Sequence, residues 1–496
     1  MAVQYYGFFI CLLITLLAWG TMRKAHIMVK IPMFITLFWY MIDAGISPVT
    51  TMWNGTPLND AAFNMREPVD SDIDRMYGFL GLTAHYGIIL LCIIIFNFKY
   101  RGKQFVRLTS HINHLAERKK IFPIGVIISI IGFAAWSIIL LFLVREVGLL
   151  GIARHRSLYT STATASALYN YAFSFTPFLM LGIWILISSA SSRLKYTITA
   201  AAFFFQIVIL VLMGGRTQLL TYFIFTAMVY HFTLRPIKFQ QVFYLGIAGF
   251  VVLASTTIIR FSSSQEGALG ALIYGTFDAF LFERRLLQTA MAVRDFPQLF
   301  PYFLGLTLLM GFNQLVPGLK IPGATNVFKE LMTILSTGQQ NSGYGGSNYA
   351  NAAESFMNFG WTGVIAVALA YGLVFSLAFR WLIKKDRSLL TIVLYIGTVM
   401  FFFNGMDAKA SFNIARFFSQ AIFPIGMAGV FLLINNKKLG FRALLFLLMI
   451  ALSFSAFLVN RFLQADSVRL AQTLFFFLSY FIAIRCINVY YKRYFA

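Results

Sequence analysis

Several arginine residues of this sequence lie in settings that suit the binding of an anion. In the stretch MGGRTQLL, Arg216 follows two glycines and precedes an apolar run. We expect Arg216 to open a helix, where free N–H groups and the helix dipole favour negative charge. The guanidinium group also holds phosphate or carboxylate with two hydrogen bonds. Arg216 is therefore interpreted either as a binder of an anionic ligand or as a side chain that snorkels to the membrane boundary.

A second basic cluster, GIARHRSLY, contains Arg154, His155 and Arg156. The two flanking positive charges favour the neutral imidazole, which can then accept a proton. We predict an external loop in which Arg154 and Arg156 contact substrate and His155 is a candidate base. A solvated loop without a catalytic role is the alternative.

A third cluster lies in the stretch ALGALIYGTFDAFLFERRLLQTAMAV, whose apolar residues recur with helical periodicity. Asp278 and Arg285 are seven residues apart and share nearly the same helical face. One interpretation is an amphipathic helix on the membrane surface, with Arg284 and Arg285 at the depth of the lipid headgroups. The other is a helix docked on a helical bundle with its charges solvated. The two arginines are candidates for binding an anion, and Asp278 is a candidate base.

Residues 343–363, GYGGSNYANAAESFMNFGWTG, combine aromatic rings with amides and one acid. Rings pack on the apolar faces of sugars, and amides bind their hydroxyls. The candidate sugar-binding residues are Tyr344, Asn348, Tyr349, Asn351 and Asn358. Glu354 is expected just outside a helix, where it would orient an arginine or a sugar hydroxyl. Phe359 and Trp361 are interpreted as part of an aromatic belt at the membrane interface.

The elements that position these residues are membrane-spanning helices. The 496 residues are 59% hydrophobic and 11% charged, and apolar runs of about 20 residues, long enough to cross a bilayer, follow one another along the chain. We predict an all-α polytopic membrane protein with 13 spans and a range of 12 to 14. The predicted spans are 4–20, 31–49, 78–98, 121–144, 172–189, 197–213, 217–232, 242–260, 361–382, 389–404, 415–434, 443–459 and 468–489.

The net charge of +23 is explained by the positive-inside rule rather than by nucleic acid, because the charges fall in short loops. Alternate loops hold 24 of the 40 basic residues and define the cytoplasmic side. The opposite side carries 13 arginines and three lysines, which favours an outward-facing anion site. We divide the chain into N-terminal spans (1–260), a long, partly helical external loop (261–360) and C-terminal spans (361–496).

The stretches GGRTQLL and PGLK...GYGGSNYANAAESFMNFGWTGV resemble the Wzy-type O-antigen and related repeat-unit polymerases of the bacterial inner membrane. The resemblance implies a multispanning (GT-C-like) glycosyltransferase that works on the periplasmic face without nucleotide sugars, a cofactor or a metal ion. Its substrates would be a donor and an acceptor oligosaccharide, each linked to undecaprenyl diphosphate in the membrane lipid. A chain-length regulator of the Wzz type would be a partner.

The resemblance also suggests roles for individual residues. Arg216, Arg284, Arg285 and Arg416 are the candidates for the diphosphate, because positive charge stabilises a leaving group on which negative charge develops. Glu354 would position an arginine or the acceptor hydroxyl. His155 or Asp278 would serve as base.

Three other functions stay open at this stage. The acids of DSDIDR, Asp70, Asp72 and Asp74, are interpreted either as a metal or acid site of a glycosyltransferase that adds single sugars or as a solvated loop tip. A flippase or transporter is the non-enzymatic alternative, with Asp43 and His85 as its deep ionisable pair. His85 is otherwise expected to be a packing histidine whose hydrogen bonds are satisfied. A ligase that attaches finished polymer to lipid A would share the architecture and the donor.

Overall fold

The structure is a computed structural model that describes a little over half of the chain. The described residues are 2–23, 25, 27–54, 72–97, 115–154, 179–212, 216–234, 284–294, 296–299, 302–308, 350–383 and 389–406, together with the single positions 176, 237, 240, 241, 244, 247 and 251. All structural statements below concern these residues.

The described residues are almost entirely helical, and no strand is assigned among them. The helices in chain order are α1 (Ala2–Met22), α2 (Ile27–Tyr40), a π-helical segment (Met41–Ile46), α3 (Ser47–Asn54), α4 (Asp72–Asn97), α5 (Leu115–Arg154), α6 (Leu179–Ser189), α7 (Arg193–Leu212), α8 (Arg216–Thr233), α9 (Arg284–Arg294), α10 (Phe296–Leu299), α11 (Asn351–Ile383) and α12 (Leu389–Met406). This part of the chain confirms the predicted all-α class.

Five of the described helical stretches are long and apolar enough to cross a bilayer: Gln4–Met22, Lys30–Thr50, Arg75–Asn97, Arg193–Val211 and Asn351–Leu377. Nine of the 13 predicted spans coincide with described helices. The other four, 242–260, 415–434, 443–459 and 468–489, lie outside the described residues apart from isolated positions. The chain is thus an all-α, multi-pass membrane protein, and the total of 13 spans stays a prediction.

Two helices extend beyond the predicted spans, because each continues past its apolar run. The span predicted at 78–98 begins at Asp72, so Asp72 and Asp74 are helical rather than at a loop tip. The helix that contains the predicted span 121–144 runs from Leu115 to Arg154. It is interrupted at Gly148, whose φ of 71° and ψ of 162° are not helical. Arg154 therefore ends a helix instead of lying in a loop. A helix can continue into polar residues because its backbone hydrogen bonds do not depend on whether the side chains are apolar.

Helix α4 lies at the centre of the described bundle and packs against α1, α2, α9 and α11. Glycine permits the closest of these contacts. A methyl group at Gly78 would overlap the carbonyl oxygen of Leu286, and one at Gly81 would lie 2.6 Å from Cγ2 of Thr289. The lack of a side chain at these two positions of α4 allows α9 to rest directly on its backbone.

The second span changes from α-helix to π-helix in its C-terminal half. Helix α2 continues through the π-helical segment into α3, and together they form the continuous span Lys30–Thr50. Tyr40 forms a hydrogen bond of 3.1 Å with Thr83 of α4, and the Trp39 indole N–H donates to the Phe403 carbonyl of α12 at 3.1 Å. These bonds fix the segment against the bundle.

Candidate functional site

Helix α9, which carries Arg284 and Arg285, is docked in the bundle. Every residue from 286 to 292 is buried, and α9 contacts α4, α11 and the π-helical segment. For residues 284–294 the docked helix is therefore the correct interpretation, and the preceding part of the stretch, with Asp278, lies outside the described residues. The glycines of α4 explain the difference, since they allow a backbone contact that periodicity alone does not reveal. Arg284 and Arg285 form the first turn, and Arg285 is half-buried.

A side-chain hydrogen bond joins α9 to the start of α11. Oε1 of Gln288 accepts from the backbone N–H of Ala350 at 2.9 Å. Arg285 lies one helical turn before Gln288, and Glu354 lies one turn after Ala350. The bond thus joins the N-terminal half of α9 to the residue that precedes the first turn of α11. We call the five residues Arg285, Gln288, Asn351, Glu354 and Asn358 the polar junction.

Glu354 lies inside α11 and is completely buried, with an exposed fraction of 0%. The prediction that it lies just outside a helix was wrong, because α11 begins at Asn351, well before the apolar run that marks the span. A carboxylate removed from water is costly unless a cation or hydrogen-bond donors compensate it. Helix α9 packs against this turn and brings its arginines to the same region. The prediction that Glu354 orients an arginine or a sugar hydroxyl stays a prediction.

Asn351 and Ser355 lie on consecutive turns of α11 and are both buried. The Ser355 hydroxyl donates to the Asn351 carbonyl at 2.7 Å and lies 3.4 Å from its Oδ1. Nδ2 of Asn351 makes no hydrogen bond to any described residue. An amide of this kind can donate to a sugar oxygen, and sugar binding by Asn351 stays a prediction.

Asn358 ties the segment 302–308 to the first part of α11. Its Nδ2 donates to the Thr307 hydroxyl at 2.6 Å and to the Glu354 carbonyl at 2.8 Å, and its Oδ1 accepts from the Gly305 N–H at 3.0 Å. Both amide hydrogens are used within the protein, so Asn358 acts here as a positioning group. The prediction that Asn358 contacts sugar is not tested by these bonds.

The backbone of α11 breaks between the polar junction and the membrane-spanning part of the helix. Phe359 has a φ of −143° and a ψ of 18°, and Gly360 has a φ of 62° and a ψ of −148°. The break lets residues 351–358 form a short buried segment at an angle to the span that follows. Phe359 and Trp361 are each 40% exposed, as expected of aromatic residues at a membrane interface.

The structure places only some of the other candidate residues. Arg216 is the first residue of α8, as predicted, and Arg154 is the last residue of α5. Those outside the described residues are His155, Arg156, Asp278, Tyr344, Asn348, Tyr349, Arg416 and Asp70. The described part of the chain therefore places Glu354, Asn351 and Asn358 on the first turns of α11 and Arg285 on the helix that packs against α11, and the contacts of the others stay predictions.

His85 is buried in α4 and packs against aromatic rings. Its exposed fraction is 1%, and neither ring nitrogen makes a hydrogen bond to a described residue. The ring packs edge to face against Tyr86 and Tyr371. His85 is thus a packing residue, as expected.

Sequence reasoning missed three residues that build the junction: Gln288, Thr307 and Ser355. Gln288 was visible as the one amide in the apolar run LLQTAMAV, on the turn that follows the arginine pair. No sequence signal pointed to Thr307 or Ser355. Thr307 meets Asn358 only because the turn at 302–308 packs against α11, and Ser355 bonds Asn351 only because these residues are helical.

Comparison with known proteins gives one family match. A family model described as O-antigen polysaccharide polymerase Wzy matches residues 3–438 and so includes all the described helices apart from the first residue of α1. No curated protein and no solved structure matches the chain.

Proposed function

Because the chain belongs to the Wzy family of O-antigen polysaccharide polymerases, we propose that it joins undecaprenyl-diphosphate-linked oligosaccharide repeat units at the periplasmic face of the bacterial inner membrane. A hydroxyl of one repeat unit attacks the anomeric carbon of the chain on the other lipid. The bond between that carbon and the diphosphate oxygen breaks, and undecaprenyl diphosphate leaves with the electron pair. The hydroxyl proton passes to a base or to solvent. A Wzz-type chain-length regulator is the proposed partner.

The observation that carries this proposal is a fully buried carboxylate beside an arginine helix. Glu354 lies in the first turn of α11, against α9 with its first-turn arginines. We assign Arg284 and Arg285, with Arg216 and Arg416, to the diphosphate. Preorganised positive charge in a dry site stabilises the negative charge that develops on a leaving group, and it does so without a metal ion.

The remaining residues receive supporting roles. Glu354 would orient the guanidinium group of Arg285 or the acceptor hydroxyl. Nδ2 of Asn351, which bonds no described residue, would donate to a sugar oxygen. Asn348, Tyr344 and Tyr349 would also bind sugar, and Arg154 and Arg156 would contact the substrate near the membrane surface. His155 and Asp278 are the candidate bases, and a reaction driven by its leaving group needs little help from either.

A deletion strain tests the reaction class. Loss of a repeat-unit polymerase leaves single repeat units on lipid A, whereas loss of a ligase leaves none and loss of a flippase stops export of the units. We expect the deletion strain to carry single units and the intact gene to restore the ladder of long chains. Lipid A without any repeat unit would contradict the proposal.

A reaction with the purified full-length protein tests the site. Undecaprenyl-diphosphate-linked repeat units are supplied in nanodiscs with EDTA and without nucleotide sugar, and chain growth is followed on a gel. We expect Glu354→Gln and Arg285→Lys each to slow chain growth by about a hundredfold or more, as loss of preorganised charge stabilisation does. Leu369→Ala, on the exposed face of α11, is the matched control and should keep the wild-type rate. Glu354→Gln at the wild-type rate would remove Glu354 from the site, and no chain growth with the wild-type protein would refute the polymerase function.

A further inference from the structure

A tight turn beside the polar junction holds a leucine in an unfavourable backbone conformation. The Leu306 N–H donates to the Phe303 carbonyl at 3.0 Å, so the turn comprises residues 303–306. Its central residues, Leu304 and Gly305, have φ values of 50° and 89°. In the described part of the chain, Leu304 is the one non-glycine residue with a positive φ. Such turns favour glycine, asparagine or aspartate, because Cβ crowds a backbone carbonyl and leucine has no polar group to compensate.

The side chain of Leu304 is also unusually exposed. Its exposed fraction of 76% is the highest of any large apolar residue that the structure describes. The residues before it are well packed, because Phe303 lies against the core and its ring centroid is 5.2 Å from that of Phe296. The Tyr302 ring contacts Phe296 and Phe356. One side of the turn is therefore fixed to the bundle, and the other side presents a leucine.

Hydrogen bonds fix the turn to the first part of α11. The Phe303 N–H donates to the Met357 carbonyl at 3.1 Å, and the Leu304 N–H donates to the Asn358 carbonyl at 3.0 Å. The Gly305 N–H donates to Oδ1 of Asn358 at 3.0 Å. Because Asn358 belongs to the polar junction, the position of the turn and the position of the junction are coupled.

The exposed surface of the turn continues into one face of the α11 span. Three exposed apolar residues, four positions apart from one another, form what we call the lipid stripe within the span 351–377: Trp361, Ile365 and Leu369. Phe359 joins the turn to this stripe, since a methyl group at Gly305 would lie 3.0 Å from its Cζ. The exposed face of a span contacts acyl chains, and aromatic residues at its end lie at headgroup depth. The turn therefore lies at the boundary between headgroups and acyl chains.

The composition of the segment favours lipid over water or sugar around Leu304. The sequence contains no charged residue between Asp295 and Lys320. An apolar side chain held in water forgoes the free energy of burial, whereas acyl chains provide it. Sugar binding uses aromatic faces and hydrogen-bonding groups, and the leucine side chain offers neither.

We propose that the turn 303–306 inserts Leu304 into the acyl-chain region of the bilayer and so fixes the depth of the polar junction. Backbone strain of this kind persists where the rest of the structure holds it in place and is commonly found where it serves function. The diphosphate of a lipid-linked substrate lies at headgroup depth, so an anchor at this boundary keeps the junction level with it. The contact with lipid does not rest on the proposed function, but its effect on chain growth does.

Spin labelling measures the surroundings of the turn. A nitroxide is attached to Leu304→Cys in the full-length protein in nanodiscs, with the three native cysteines replaced by alanine. Oxygen, which concentrates in lipid, and a nickel chelate, which stays in water, are compared as relaxing agents. Leu369→Cys in the lipid stripe is the lipid reference, and Ser191→Cys, exposed between α6 and α7, is the water reference. We expect the oxygen-to-nickel ratio at 304 to be several-fold above that at 191 and close to that at 369.

Two spin-label results would overturn the proposal. One is a ratio at 304 equal to that at 191, which would place the turn in water. The other is low accessibility of position 304 to both agents, which would show that a second copy or another protein covers the turn.

The unsubstituted protein gives the same comparison without any variant. Nanodiscs are prepared with phosphatidylcholine that carries a diazirine in the upper part of one acyl chain, and adducts are located by peptide mass spectrometry after irradiation. We expect adducts on residues 302–306 and on the lipid stripe. Adducts on the stripe without any on the turn would contradict the anchor.

Two substitutions separate anchoring from backbone strain. Leu304→Asn removes the apolar side chain and relieves the strain, because asparagine tolerates a positive φ. Leu304→Met keeps an apolar side chain of similar volume. We expect kcat/KM for the lipid-linked acceptor in nanodiscs to fall several-fold in Leu304→Asn and to stay at the wild-type value in Leu304→Met. A role through strain alone predicts that Leu304→Asn is at least as active as the wild type, and that result would overturn the link between anchor and site. If the wild-type protein extends no lipid-linked chain, the polymerase function fails, and the spin-label ratios still decide the lipid contact.

Discussion

Substitution of Asn358 by alanine should loosen the contact between the segment 302–308 and the start of α11. The side chain makes three hydrogen bonds, at 2.6 Å to Thr307, 2.8 Å to the Glu354 carbonyl and 3.0 Å from the Gly305 N–H. Two further bonds join the same elements through the backbone, at 3.1 Å from Phe303 N to Met357 O and 3.0 Å from Leu304 N to Asn358 O. The alanine variant keeps the backbone bonds and loses the side-chain ones.

The expected cost follows from the groups that lose a partner. The Thr307 hydroxyl is buried, with an exposed fraction of 2%, whereas the Gly305 N–H is on a half-buried residue that water can reach. A buried polar group left without a partner costs about 1–3 kcal/mol, and one that water can reach costs less. The free energy of unfolding should therefore fall by about 2–4 kcal/mol in Asn358→Ala.

Unfolding in mixed SDS micelles measures this change, and hydrogen exchange locates it. Asn97→Ala is the matched control, because Nδ2 of Asn97 makes one bond, of 2.9 Å, to the carbonyl one turn earlier. We expect this control to lose about 1 kcal/mol or less. Peptides covering 302–308 should exchange faster in Asn358→Ala and not in Asn97→Ala. Equal unfolding free energies in the two variants, with unchanged exchange in 302–308, would refute the structural role given to Asn358.

Three further substitutions have defined outcomes. Gly360→Ala places a side chain at a φ of 62° and a ψ of −148°, so we expect a loss of about 1–3 kcal/mol in the same unfolding assay, and wild-type stability would contradict the break in α11. Gly81→Val should push Thr289 and α9 away from α4, which will raise phenylglyoxal labelling of the α9 arginines, and unchanged labelling would argue against the docked helix. Trp184→Phe removes the 2.9 Å bond to Thr226 and should lower the unfolding free energy by about 1–2 kcal/mol, whereas wild-type stability would show that this bond contributes nothing.

The helices could be predicted well because apolar runs, and the basic residues in the loops between them, can be recognised in short stretches of sequence. The start of α8 at Arg216 and the spans around α1, α4 and α11 follow directly from them. It did not predict that Glu354 is buried within a helix, since the turn 351–358 is separated from the apolar run by the break at Gly360. Nor did it predict the π-helical segment around Asp43, whose backbone is set by contacts with α1, α3 and α4 rather than by its own residues.

The position of the arginine helix links packing to electrostatics. Gly78 and Gly81 let α9 approach the backbone of α4, and this approach buries residues 286–292. Arg285, next to this buried stretch, is half-buried, and a cation partly removed from water interacts more strongly with nearby negative charge. The same low dielectric makes a cation costly before substrate arrives, so an opposite charge must be built into the fold. Asp43 and Glu354 are the buried acids on the elements around α9. Separation of α9 from α4 should therefore expose residues 286–292 and the elements that pack against them to water.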